Sequence, residues 1–102
     1  MTQRRRLEDD ELSDALAQRP AWEVRDGKLH RELRFDGFAT AFSFMARVAF
    51  AAERMDHHPE WSNVYDRVTI DLVTHDAGGI TALDVDLAER IDRFAEAAGA
   101  AG

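Results

Sequence analysis

Between Gly37 and Met55 the apolar residues recur at a helical period, and this stretch limits the fold more than any other. Phe38, Phe42, Met45, Ala49 and Ala52 follow one another at intervals of 4, 3, 4 and 3 residues, with Ala41, Phe44, Val48 and Met55 forming a neighbouring stripe. An apolar arc this wide predicts a long helix lying on a sheet, with Phe44 or Phe50 left for a subunit contact. Core packing accounts for the aromatic stripe without a cofactor. Asp36 is placed to cap the helix. Pro59 disfavours the α conformation at His58, so the helix should stop at or before His57.

The flanking segments supply the sheet. Trp22–Arg25, then Asp26-Gly27, then Lys28–Phe35 reads as a hairpin, because Asp-Gly provides the two positive-φ positions of a type I′ turn. Alternation places Leu29, Leu33 and Phe35 inward and Lys28, His30, Glu32 and Arg34 outward, which makes His30 a solvated strand residue without a role. Val64–Thr74 alternates again, with Val64, Val68, Ile70 and Leu72 on one side. It reads as a long half-buried strand, bent near its middle into two paired pieces. Two further helices complete the pattern. One spans Asp9–Gln18 around Leu12 and Leu16 and is closed by Arg19-Pro20. The other is opened by Thr81-Ala-Leu-Asp84, which has the form of a capping box, and presents Leu83, Leu87, Ala88, Ile91, Phe94, Ala95 and Ala98 on one face. Ala97–Gly102 is expected to be a fraying helix end. The order α-β-β-α-β(β)-α, with helices on one face of an antiparallel sheet, would bury every stripe.

At 102 residues the chain is expected to form a single domain, 1–102, with residues 1–6 as a flexible tail. A net charge of −7 argues against nucleic acid as a partner, since phosphate contacts need clustered cations and Arg4-Arg5-Arg6 is the only basic run. The absence of cysteine removes disulfides, thiol nucleophiles and thiolate metal sites. No apolar run approaches membrane-spanning length and no apolar segment follows the N-terminal arginines. The expectation is a cytoplasmic protein without a membrane partner.

Three of the four histidines, His57, His58 and His75, lie within or after the segment Glu53-Arg-Met-Asp-His-His-Pro-Glu-Trp61. Glu53 and His57 are four apart and would share a helix face, where the carboxylate would favour an imidazolium. Imidazoles beside carboxylates, with no nucleophile, suit general acid–base work such as elimination of water. Trp61 and Tyr65 could wall an aromatic substrate. Two other readings stay open at this level. The histidines could ligate zinc or iron, although adjacent histidines are an uncommon first pair. They could also merely cap the helix end. Asp84 is fully explained by its capping box, and a second task, such as orienting His75, is optional.

Glu53, His57-His58-Pro59, Tyr65, His75 and Asp84 together resemble the pattern of the pterin-4a-carbinolamine dehydratases at every spacing. The surroundings Asp56–Tyr65 and Thr74–Thr81, the Trp22 hairpin and the Phe-rich helix are similar too, so the resemblance covers about Leu7 to Ala95. It implies an α+β fold with three helices packed on one face of a four-stranded antiparallel sheet, α-β-β-α-β-β-α. It implies a lyase that dehydrates 4a-hydroxytetrahydropterin to quinonoid dihydropterin and water, recycling the pterin of aromatic amino acid hydroxylases without metal or organic cofactor. His57 and His75 would be the acid/base pair, His58 would hold and polarise the pterin, and Glu53 and Asp84 would support the histidines. Asp56, Trp61 and Tyr65 would lie at the substrate. A homodimer or homotetramer is implied. The rival implication is a protein-interaction module, a dimerisation or assembly cofactor with a weak or vestigial pterin site.

Overall fold

The computed structural model describes residues 5–102. Its elements are α1 (Asp9–Gln18), β1 (Glu23–Arg25), β2 (Lys28–Arg34), α2 (Phe38–Met55), β3 (Glu60–Val64), β4 (Arg67–Leu72), a 3₁₀ turn (His75–Ala77) and α3 (Ala82–Ala97). The four strands form one antiparallel sheet in the order β1-β2-β4-β3. Three helices on a four-stranded antiparallel sheet is the expected α+β architecture. Among the described residues no helix is long and apolar enough to cross a membrane.

Each strand pair follows from its turn. Asp26 and Gly27 both take positive φ, 54° and 77°, so β1 and β2 close as a two-residue hairpin. The expected Val64–Thr74 strand is instead the second half of a hairpin that begins earlier. Tyr65, at φ 52°, and Asp66 form its turn, and Glu60–Val64 pairs back on Arg67–Asp71. Val64 sits beside that turn and is exposed rather than inward.

Leu29 and Leu33 of β2 and Val68, Ile70 and Leu72 of β4 pack with Phe44 and Val48 of α2 and Leu87 and Ile91 of α3 in one core. The helix stripe that meets the sheet is Ala41, Phe44, Val48 and Ala52. Phe38 and Phe42, expected on the main stripe, face out with Phe50, and Phe44 is core rather than a subunit contact. Gly37, not Asp36, is the N-cap of α2. The inward face of β2 also carries Arg31, whose Nη1 donates to Asp92 Oδ1 on α3 at 2.5 Å; Trp22 Nε1 donates to the same oxygen at 2.8 Å.

Arg5, Arg6 and the C-terminal segment each have partners in the fold. Residues 1–4 of the expected tail lie outside the described residues. Arg5 forms a paired hydrogen bond with Glu11 at 2.7 and 2.6 Å, and Arg6 bridges to Thr81. At the other end, α3 stops at Gly99, with positive φ and Ala100 N–H donating to Ala95 O at 2.9 Å. The chain then returns to the sheet: Ala101 exchanges two 2.8 Å backbone hydrogen bonds with Arg34, along the edge of β2 that β1 leaves free.

His30 corrects the expectation of a solvated residue. It is buried, with Nδ1 at 2.8 Å from Asp71 Oδ1 and Nε2 at 3.0 Å from Glu32 Oε2. Among the described residues no helix covers this second face of the sheet; long charged neighbours do. Burial alone would push the imidazole's pKa down, but the hydrogen bonds to Glu32 and Asp71 outweigh it and raise it above 6.5. A raised folded-state pKa means stabilisation that is complete below pH 6.5 and is lost as pH rises through the folded value. Urea unfolding of wild type and His30→Gln should therefore show the largest difference in midpoint on the acid side, shrinking as pH increases. A difference that stays constant across that range would remove the ion-pair account.

Candidate functional site

α2 ends at Met55, short of the histidines. Asp56 takes the left-handed C-cap conformation, φ 52° and ψ 42°, and its N–H closes onto Ala52 O and Glu53 O. His57 N–H still reaches Ala52 O at 3.0 Å, after which the chain runs extended into β3. The β3–β4 register pairs Glu60 with Asp71; continued outward, it sets His57 opposite Thr74 and Asp56 opposite His75. The two histidine segments are thus neighbours by the logic of the hairpin.

Side chains lock them together. Asp84 is fully buried at the start of α3 and uses its two oxygens differently. Oδ2 accepts from Thr81 N–H at 2.8 Å, the capping box expected from the sequence, and from Thr74 Oγ1 at 2.9 Å. Oδ1 accepts from His57 Nε2 at 2.6 Å. Asp84 therefore has a second task, but it serves His57 and not His75. Glu53 likewise holds a different histidine from the one expected. The helix ends before His57, so Glu53 Oε1 accepts from His58 Nε2 at 2.8 Å.

His75 has a partner that helix and strand periodicity could not reveal. Its Nε2 donates to Glu60 Oε2 at 2.8 Å, and Lys28 Nζ donates to Glu60 Oε1 at 2.5 Å. These two donors, Lys28 first, hold the Glu60 carboxyl below the usual carboxylate range; Glu60 in turn raises Lys28. The signal for Glu60 was its place immediately after His-His-Pro.

All three imidazoles now share one arrangement. Each gives Nε2 to its own carboxylate, and no Nδ1 of the three has a hydrogen-bond partner among the described residues. A carboxylate on one nitrogen fixes ring orientation and tautomer, leaving the other nitrogen for proton exchange with a ligand. His57 is buried, whereas the side chains of His58 and His75 are 57% and 72% exposed. Among the described residues no three histidine, aspartate or glutamate side chains are gathered closely enough to hold a metal ion.

The remaining expected residues are not all brought to this place. Asp56 is exposed between Glu53 and His57. Trp61 is half-buried against the core, opposite Ile70. Tyr65 lies at the far end of the β3–β4 hairpin, about 16 Å along the strand from Glu60, where its hydroxyl approaches Gly37. It is not part of the histidine cluster within one chain. A groove of about 440 Å³ also lies at that far end, lined by Arg34, Ser62, Val64, Arg67 and Thr69 among others, and holds none of the histidines.

Residues 5–94 match the family described as pterin 4 alpha carbinolamine dehydratase. A relative from Solibacter usitatus, provisionally named a pterin-4-alpha-carbinolamine dehydratase, is 57% identical over 88% of this chain and 95% of its own. A similarly named protein of Bordetella avium is 53% identical over 90% of this chain and 87% of its own. A crystal structure from Brucella melitensis, titled transcriptional coactivator/pterin dehydratase, superposes with a TM-score of 0.85 at 42% identity, covering 88% of this chain and 98% of that one.

The double use of Asp84 can be separated from simple capping. Thr81→Ala should cost about 1 kcal/mol, the usual loss of an N-cap. Asp84→Ala should cost about 3–5 kcal/mol, because His57, Thr74 and the Thr81 N–H all lose a buried partner. Equal losses in urea unfolding would mean that capping alone explains the residue.

Proposed function

We propose that this chain, which belongs to the pterin 4 alpha carbinolamine dehydratase family, dehydrates a 4a-hydroxytetrahydropterin to the quinonoid dihydropterin and water. The observation that carries this reading is the set of three imidazoles, each oriented by a separate carboxylate through Nε2 and each keeping Nδ1 available. The reaction breaks a carbon–oxygen bond and removes a proton from the conjugated ring system. It needs one proton donor for the departing hydroxyl and one acceptor for the ring proton, with no net oxidation or reduction. No metal or organic cofactor is required by that balance.

His57 and His75 are the acid/base pair in this reading. Buried His57, backed by Asp84, keeps a fixed position, while exposed His75, backed by Glu60, meets the substrate from across the β3–β4 hairpin. His58, held by Glu53, contacts and polarises the pterin, with Asp56 and Trp61 beside it. Returning the pterin spent by aromatic amino acid hydroxylases is the cellular task that this reaction serves, in the cytoplasm.

The exposed face of α2 belongs to the same reading. Phe38, Phe42 and Phe50 are 52%, 59% and 71% exposed, a cost in water that a homodimer or homotetramer would remove. Light scattering should report an oligomer, and Phe42→Glu with Phe50→Glu should shift it to a monomer. A monomeric wild type would overturn this assignment.

The activity itself is tested on metal-free protein. General acid or base catalysis by one side chain is typically worth ~10²–10⁴-fold, so His57→Ala and His75→Ala should each lower the dehydration rate by a factor in that range, and His58→Ala should also slow it. Equal rates in wild type and all three variants would sink the proposal.

A further inference from the structure

Glu60 and Asp71 stand directly opposite each other on β3 and β4, on the sheet face turned away from the core. Like charges in that position repel, and the sheet offsets them with cations and imidazoles brought from elsewhere. Lys28 is not on a neighbouring strand. It belongs to β2, and β4 lies between β2 and β3. Its side chain therefore crosses β4, a span of two strand spacings or about 10 Å, to place Nζ 2.5 Å from Glu60 Oε1. The other oxygen, Oε2, receives His75 Nε2 at 2.8 Å.

His75 needs such a partner more than His57 does. It opens the short 3₁₀ turn that follows β4, and its side chain is largely exposed. Packing around it is therefore slight, whereas His57 is enclosed and bonded to a buried carboxylate. As a contribution to stability, exposed ion pairs of this kind count for little. The consequence of the arrangement is geometric: one carboxylate oxygen is fixed from the sheet and the other is presented to the imidazole.

We propose that Glu60 is the positioning residue for His75, and that Lys28, reaching across β4, fixes the Glu60 carboxylate so that His75 is held by Nε2 and offers Nδ1 to the substrate. Glu60 touches no reacting atom in this scheme; it acts through the imidazole. The assignment rests on the dehydratase reading for its catalytic consequence but not for its geometry.

The test uses the intact chain as wild type, Glu60→Gln, Lys28→Met and Lys28→Arg, with two readouts. Two-bond nitrogen–proton spectra of ¹⁵N-histidine protein report which nitrogen of neutral His75 carries the proton and how fast that proton exchanges. Dehydration kinetics report kcat and KM. The expected result is an Nε2–H tautomer with a protected proton in wild type and in Lys28→Arg, with loss of protection in Glu60→Gln and partial loss in Lys28→Met. Alongside it, Glu60→Gln should lower kcat about tenfold, as loss of an orienting partner does, with KM nearly unchanged. Lys28→Met should lower kcat less, and Lys28→Arg should restore it.

Unchanged His75 spectra in Glu60→Gln would overturn the proposal, whatever the kinetics. Altered spectra with wild-type kcat would also overturn it, leaving only a surface ion pair. If wild type itself fails to accelerate dehydration, the dehydratase reading falls, and the His75 spectra still decide whether the Lys28–Glu60 clamp sets the ring.

Discussion

The carboxylate of Asp84, closed off from solvent, joins three segments that are far apart in the chain. It receives the first turn of α3 through Thr81 N–H, the segment after β4 through Thr74, and the segment after α2 through His57. A buried carboxylate is costly unless its oxygens are fully bonded, so these partners are required together or not at all. The spacing between the two histidine segments is therefore set in the interior of the molecule. The hydroxyls of Thr74 and Thr81, 2.7 Å apart, tie the same point once more.

Interactions confined to neighbouring residues could be read from the chain. The Thr81–Asp84 capping box, the Asp-Gly turn and the end of α2 before Pro59 all depend on residues within four positions of one another, and each is present. Pairings across segments could not be read. Assigning Glu53 to His57 assumed one more helical residue than Asp56 allows, because its left-handed conformation turns the chain so that His58 meets Glu53 instead. The link between Glu60 and His75 depends on the β3–β4 register, and that register follows from a turn at Tyr65-Asp66 without glycine. The three histidines could be singled out from the sequence; their carboxylate partners mostly could not.

Periodicity carries a related limit. A period of two assigns side chains to opposite faces of a strand but does not say what covers either face. His30 was correctly placed away from the core and yet is buried, because Asp71 and Glu32 close over it. On α2 the two apolar stripes are adjacent, and pattern alone does not choose between them. Ala41, Phe44 and Val48 join Val68, Ile70 and Leu72 of β4 in the core. Phe38 and Phe42 of the other stripe are left outside, while its Met45 and Ala52 still pack against the core.

The same alternation explains why two consecutive histidines can take carboxylate partners on opposite sides of the chain. Proline disfavours the α conformation in the residue before it, so Pro59 directs His58 towards extended backbone. In extended backbone, consecutive side chains project to opposite sides. His57 can then turn inward to Asp84 while His58 turns outward to Glu53. On a continued helix the two rings would lie only about 100° apart around one axis, whereas extended backbone sets them on opposite sides. The proline therefore does more than end α2. It separates a shielded imidazole, whose hydrogen bond salt screens little, from an exposed one whose pairing salt weakens. A single short segment thus carries one ring held by the interior and one ring held only by its carboxylate.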